Sequence, residues 1–238
     1  MDDIPYCGPA PVPEALWASW NLALWPILLS LAPLLAALCL PRMRKGPAAL
    51  AGAALCVAFV SPLCALTVAL FSARAVHHLV LVLIAAPALA LAWPRALPGG
   101  WTVGFLGLSG MLWLWHLPAA YGLAWSSTPF YWLMQAGLVG AAVLFWSHVF
   151  HGAQAWERLS GAGVILAVAG QMGLIGAILA FAPRLIYPQH LGVTLPYGLD
   201  ALADQQLAGL VMWVPGMVPL AVLSLLLLRR GWREAAQA

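Results

Sequence analysis

The sequence predicts an all-α polytopic membrane protein: a bundle of seven transmembrane helices with the N-terminus outside and the C-terminus in the cytoplasm. Three observations carry this. Hydrophobic residues make up 64% of the 238 positions and charged residues only 7%, far below the roughly 25% charged content of soluble domains. The apolar residues fall into seven runs, most of them close to the ~20 residues that a helix needs to cross the hydrocarbon. The few basic residues sort by side, as the positive-inside rule requires.

The N-terminal stretch 1–16 is acidic and proline-rich and has no basic n-region, so it reads as an extramembrane strap and not as a cleavable signal. The transmembrane domain, 17–230, follows. Its runs cover about Trp17 to Leu40, Pro47 to Leu70, Ala73 to Trp93, Trp101 to His116, Phe130 to His148, Ala162 to Phe181 and Asp204 to Leu228, and Pro118 is expected to bend the end of the fourth. A short tail, 231–238, closes the chain. Arg42, Arg44, Lys45, Arg95, Arg158, Arg229, Arg230 and Arg233 fall on one side of these runs, and only Arg74 and Arg184 on the other. That distribution sets the orientation, and it makes the net charge of +3 a matter of topology and not of nucleic-acid binding. Tryptophans such as Trp17, Trp20, Trp93 and Trp232 stand near span ends, as interfacial anchors do.

The connection 182–203 is the long one, and with Pro183, Pro188 and Pro196 it reads as an ordered outer cap. Cys7, Cys39, Cys56 and Cys64 occur singly, without a CxxC spacing, and three of them sit in apolar runs. They read as small buried hydrophobes and not as a disulfide framework. Cys7 and Cys64 are the lesser candidates for a soft metal site at the outer face.

The polar residues of the apolar runs are the functional candidates, because a polar group in hydrocarbon is disfavoured unless it faces the bundle interior. The seventh run opens with Asp204, Gln205 and Gln206 and carries Met212 and Pro215. At about 100° per residue, Gln205, Gly209, Met212 and Gly216 share one face. His77 and His78 lie just inside the outer end of the third run, His116 at the outer end of the fourth, and His190 in the outer connection. Neutral imidazole and thioether suit a soft cation such as Cu(I), whereas magnesium and calcium want oxygen. Asp204, Gln205 and Gln206 are expected to hold an imidazole in one tautomer from behind. His77 and His78 are about 100° apart on a helix, so one of the two is expected to face the site. His148 and His151, near the cytoplasmic end, read as interfacial side chains.

The run DQQLAGLVMWVPG (Asp204 to Gly216), with YPQH at Tyr187 to His190 and YGLDALA at Tyr197 to Ala203, resembles the signature of the CtaG family of membrane-embedded cytochrome c oxidase assembly factors. Further echoes lie in Ser61 to Leu81 and Trp113 to Tyr121. The resemblance implies a protein of the bacterial inner membrane that helps to place copper in the oxidase, with an oxidase subunit and other copper chaperones as partners. It favours His78 over His77. It also shows a departure: family members commonly carry histidines four residues apart at the start of the third helix, and here the first of the pair is Arg74.

No serine–histidine–acid set, phosphate loop or paired catalytic carboxylates can be placed, so a non-enzymatic role is expected. Three other readings use the same residues. A b-type haem between His78 and His116 would make a redox protein. A metal-free scaffold would need only the helix-packing glycines and the strap. A copper permease would need a path through the inner half, where polar residues are scarce.

Overall fold

The computed structural model describes residues 5–98, 100–151 and 155–237. Among them the regular structure is all helical. Five helices are long and apolar enough to cross a membrane, or six if the pair Gly100–Trp115 and Pro118–Ser126, bent by 77°, is counted as one span.

Helix α1 (Leu24–Cys39) is apolar but falls short of the length of a full span. Its 16 residues reach only about 24 Å at 1.5 Å per residue, short of the ~30 Å hydrocarbon. The expected first span therefore begins seven residues too early: Trp17 lies in a 3-10 turn, Pro13–Ala18, and Trp20 in the loop after it. Asn21 pins that loop to the bundle, its N–H donating to the Val60 carbonyl at 2.9 Å.

The second expected span is two pieces, α2 (Lys45–Phe59) and α3 (Leu63–Ala69), separated at Ser61 and Pro62. One extended residue, Leu70, then separates α3 from α4 (Phe71–Val80). Leu70 has no side-chain acceptor with which to cap α4, and the cap comes from elsewhere in the chain, as described below. After α4 the helix widens into a π segment, Leu81–Ala85, and continues as α5 (Ala86–Ala92). Pro87 supplies the reason. It has no N–H, so in the π pattern the Val82 carbonyl, five residues earlier, is left without its partner. The indole N–H of Trp146 takes that carbonyl at 2.7 Å.

Helices α6 (Gly100–Trp115) and α7 (Pro118–Ser126) carry the bend that Pro118 predicts. Helix α8 (Thr128–His151) lies against α6, where Gly104 meets the Phe145 backbone: a β-carbon there would stand 2.9 Å from Phe145 Cα. Helix α9 (Ala155–Ala180) packs along α10 (Ala201–Ala235), the longest element at 35 residues. The face of α10 turned to the bundle includes Gln205, Gly209, Met212 and Gly216, the stripe that the helical period predicts.

One expectation about the cysteines is overturned. Cys7 and Cys64 form a disulfide, with their Cα atoms 5.4 Å apart. The strap folds back over α3, and Tyr6 stacks on Tyr131 (5.1 Å) and meets Trp132 edge-on (4.9 Å). Spacing along the chain, 57 residues, gave no hint of the pairing. With the bridge closed neither sulfur is a thiolate ligand. Cys39 is exposed and Cys56 half-buried, so neither is the enclosed packing residue that its apolar run suggests.

Candidate functional site

The polar start of α10 does a different task from the one expected. Asp204 is fully buried, and its carboxylate accepts from the backbone N–H of Phe71 and of Ser72 and from the Ser72 hydroxyl. These are the first free N–H groups of α4, so Asp204 caps α4 from another helix and complements its dipole. Gln205 Oε1 accepts the Ile186 N–H at 2.7 Å, and its Nε2 donates to the Arg184 carbonyl at 3.4 Å. Gln206 Nε2 donates to the Ala182 carbonyl at 3.2 Å. None of the three bonds an imidazole. The expected support of a histidine is corrected to this: Asp204 orients the helix that carries His77 and His78, and the two glutamines hold the connection 182–203.

The capped α4 turns His78 inward. His78 of α4, Met172 of α9, Met212 of α10 and His116, in the turn between α6 and α7, line one small cavity, with Trp115 as a wall. The free space is small, about 10 Å³, near the minimum that admits one water-sized particle. His116 Nδ1 lies 2.7 Å from the Leu112 carbonyl. A carbonyl only accepts, so Nδ1 carries the proton and Nε2 presents its lone pair. His78 Nε2 is buried without a hydrogen-bond partner, and the His78 ring lies 4.6 Å from the Trp115 ring. The small face of α10 makes room for a thioether: a β-carbon on Gly216 would stand 3.1 Å from Met172 Cε.

This cavity gathers two imidazoles and two thioethers, a donor set that suits Cu(I). Among the described residues no three His, Cys, Asp or Glu side chains come together as a metal site, so a site here depends on the methionines. Met172 is the residue the sequence reading missed. Its signal is the pair Gln171–Met172, polar and soft between Gly170 and Gly173.

His77 is fully buried and turned elsewhere, edge-on to Phe59 at 5.2 Å. It does not line the cavity. His190 is ordered and buried, as a capping loop predicts, but it sits in an aromatic nest and not with His78 and His116. Tyr121 Oη lies 2.8 Å from its Nε2, and Trp125 and Phe71 flank the ring at 5.2 and 5.6 Å. Burial, and then the charge of Arg74, pull the His190 pKa from 6.5 down to about 3. The loop nonetheless touches the site, because Tyr187 Oη donates to the His116 carbonyl at 2.8 Å. At the other end of α8, His148 and His151 donate to the carbonyls of Leu144 and Ser147, each one turn back, and take no part in the cavity.

Fold and cavity together define a helical membrane protein in which buried soft donors from three helices and the α6–α7 turn converge on one small space. The family model for the cytochrome c oxidase caa3 assembly factor (Caa3_CtaG) matches residues 101–234. The chain belongs to that family. The matched stretch holds His116, Met172, His190 and Met212, whereas Cys7, Cys64, Arg74 and His78 precede it. No curated relative and no solved structure matches the chain.

Proposed function

We propose that this oxidase assembly factor binds Cu(I) in the cavity lined by His78, His116, Met172 and Met212, and releases it to the oxidase subunit that receives it. The observation that carries the reading is the convergence of two neutral nitrogen donors and two thioethers from three helices and the α6–α7 turn, with the Nε2 lone pair of His116 left free by the bond of its Nδ1 to the Leu112 carbonyl. Copper here is cargo. The chain's own residues bind it, exclude water and present it near one end of the bundle.

Seven membrane helices, N-terminus outside and C-terminus in the cytoplasm, put the cavity in the outer half of a bacterial inner membrane. Two features support that placement. Counting the bent pair α6–α7 and the shorter apolar helix α1 as one span each brings the number to seven. The basic turn Arg42–Lys45 lies beside the end of α5, Arg44 N–H bonding the Ala92 carbonyl at 3.0 Å, so the basic residues after the first and third spans share one end. A haem between His78 and His116 is disfavoured by space, since pockets for ligands of drug size run to roughly 300–1,000 Å³ and this one offers about 10 Å³.

The cellular test is the composition of the oxidase made beside a His78→Ala, His116→Ala, Met212→Leu variant. The expected product is haem-loaded and short of copper. A fully copper-loaded oxidase would leave a scaffold role only.

A further inference from the structure

A second small cavity shares Trp115 as a wall residue with the first. Cys7, Arg74, Tyr121 and Tyr131 are among its walls. Arg74 is only 5% exposed, and its Nε and Nη1 have no hydrogen-bond partner. Nη2 reaches the Thr67 carbonyl at 3.4 Å, and the Tyr121 and Tyr131 rings flank the guanidinium at 5.9 and 5.8 Å. Among the described residues none of these contacts is with a carboxylate. A buried cation without a counter-charge is strongly disfavoured, so the space around Arg74 is suited to a negative charge.

Cys7, one half of the disulfide, lines the same cavity as Arg74, and a reduced cysteine pair could supply that charge. Tyr131 Oη lies 3.9 Å and Thr67 Oγ1 4.0 Å from Cys7 Sγ, and Asn21 Nδ2 lies 3.9 Å from Cys64 Sγ. The Thr67 hydroxyl gives its proton to the Cys64 carbonyl at 2.7 Å, which leaves the Tyr131 hydroxyl and the Asn21 amide as one donor beside each sulfur, and such donors serve a thiolate far better than a disulfide, which is a poor acceptor. Cys64 is fully enclosed and Cys7 only half-buried, so Cys7 is the half of the bridge that a reductant reaches first.

We propose that opening the Cys7–Cys64 bridge creates a Cu(I)–dithiolate site whose charge Arg74 balances, and that this site is the entrance to the Met/His cavity that shares Trp115 with it. The second half rests on the copper reading above; the first does not. The chemistry balances in two steps. A dithiol reductant exchanges with the bridge: its thiolate attacks Cys7 Sγ, the S–S bond breaks, Cys64 leaves and takes up a proton. The reductant's second thiol then releases Cys7 and leaves as its own disulfide, so two electrons and two protons have moved to the protein. Cu(I) next binds both sulfurs and displaces their two protons, giving a complex of charge −1 beside a guanidinium of charge +1. Bridge and copper exclude each other, so the redox state of one cysteine pair decides whether the entrance can load.

The test uses the full chain purified in detergent, in a Cys39→Ser, Cys56→Ser background, with Cu(I) offered as its bicinchoninate complex. Protein reduced with dithiothreitol and freed of it should bind one more Cu(I) than oxidised protein, with a thiolate-to-copper charge-transfer band. That increment should vanish in Cys7→Ser, Cys64→Ser and persist in His116→Ala, Met212→Leu. Arg74→Gln should keep the band and weaken the increment about tenfold, with Arg74→Lys restoring most of it. Equal copper in oxidised and reduced protein would overturn the proposal. So would an increment that survives loss of both cysteines. If the increment appears while oxidised protein binds no copper, the dithiol site stands and the Met/His reading fails; the reverse pattern separates them the other way.

Discussion

A β-carbon on Gly176 would stand 2.8 Å from the carbonyl oxygen of Gly209, so α9 and α10 meet backbone to backbone. Helices in lipid gain their association from such close approach and not from a hydrophobic drive. Gly176→Ala or Gly209→Ala should therefore cost about 1–3 kcal/mol, the usual range for overpacking. Gly163 lies on α9 with nothing within 4 Å of an added β-carbon, and Gly163→Ala should be neutral or slightly stabilising. Thermal unfolding in one detergent compares the three. Equal effects would mean that the crossing is not at Gly176 and Gly209.

Asp204 and Ser72 make the second prediction. Asp204→Asn removes the charge and replaces one of the two accepting oxygens with an amide that can only donate, and it should cost about 1–2 kcal/mol of stability. Asp204→Ala strands the N–H groups of Phe71 and Ser72 in a buried place and should cost about 1–3 kcal/mol. Hydrogen exchange reads the site of the damage. Loosening should centre on Phe71–Val80; loss of copper affinity with α4 still protected would return Asp204 to a role behind an imidazole.

Which parts of this were legible in the sequence follows from the range of the signals. The α10 stripe and the bend at Pro118 are local and periodic, and they were readable. The convergence of His78, His116 and Met212 followed from depth along the spans once the sides were assigned. Met172 was overlooked because one methionine in an apolar run looks like packing. The partners of Asp204, Gln205 and Gln206 are loop backbones and a helix N-terminus, which no residue type announces. The Cys7–Cys64 bridge needed the strap to fold back across 57 residues, a tertiary event with no local pattern. Arg74, read at first as a missing ligand, gains a meaning only when its empty donors and the sulfurs are seen together.

The outer connection gives a pH prediction. His190 has its pKa lowered from 6.5 to about 3, chiefly by burial, so the unfolded chain binds more protons than the folded one between those values. The contribution of neutral His190 is complete above about pH 6.5 and is lost as the pH falls toward 3. Hydrogen exchange across 182–203, corrected for intrinsic rates, should accelerate on acidification through that window, and His190→Gln should remove the step. An unchanged pH profile in His190→Gln would place the sensitive group elsewhere.

Tyr187→Phe removes the hydroxyl bond to the His116 carbonyl and leaves the ring stacked on Phe71 at 4.2 Å. The expected cost is about 0.5–1.5 kcal/mol, seen as faster exchange in the loop with α10 unaffected. An equal loss of protection along α10 would show that Tyr187 supports the whole outer end and not the loop alone.

The most direct test of the copper reading is X-ray absorption at the copper edge on Cys39→Ser, Cys56→Ser protein loaded with one Cu(I), with the Cys7–Cys64 bridge closed so that no thiolate can contribute. The account predicts a mixed shell of nitrogen and thioether sulfur. The sulfur should fall in Met172→Leu and in Met212→Leu, the nitrogen in His78→Ala and in His116→Ala, and neither should change in His148→Ala. A copper shell indifferent to all four cavity substitutions, or no copper retained by the bridged protein, would contradict it.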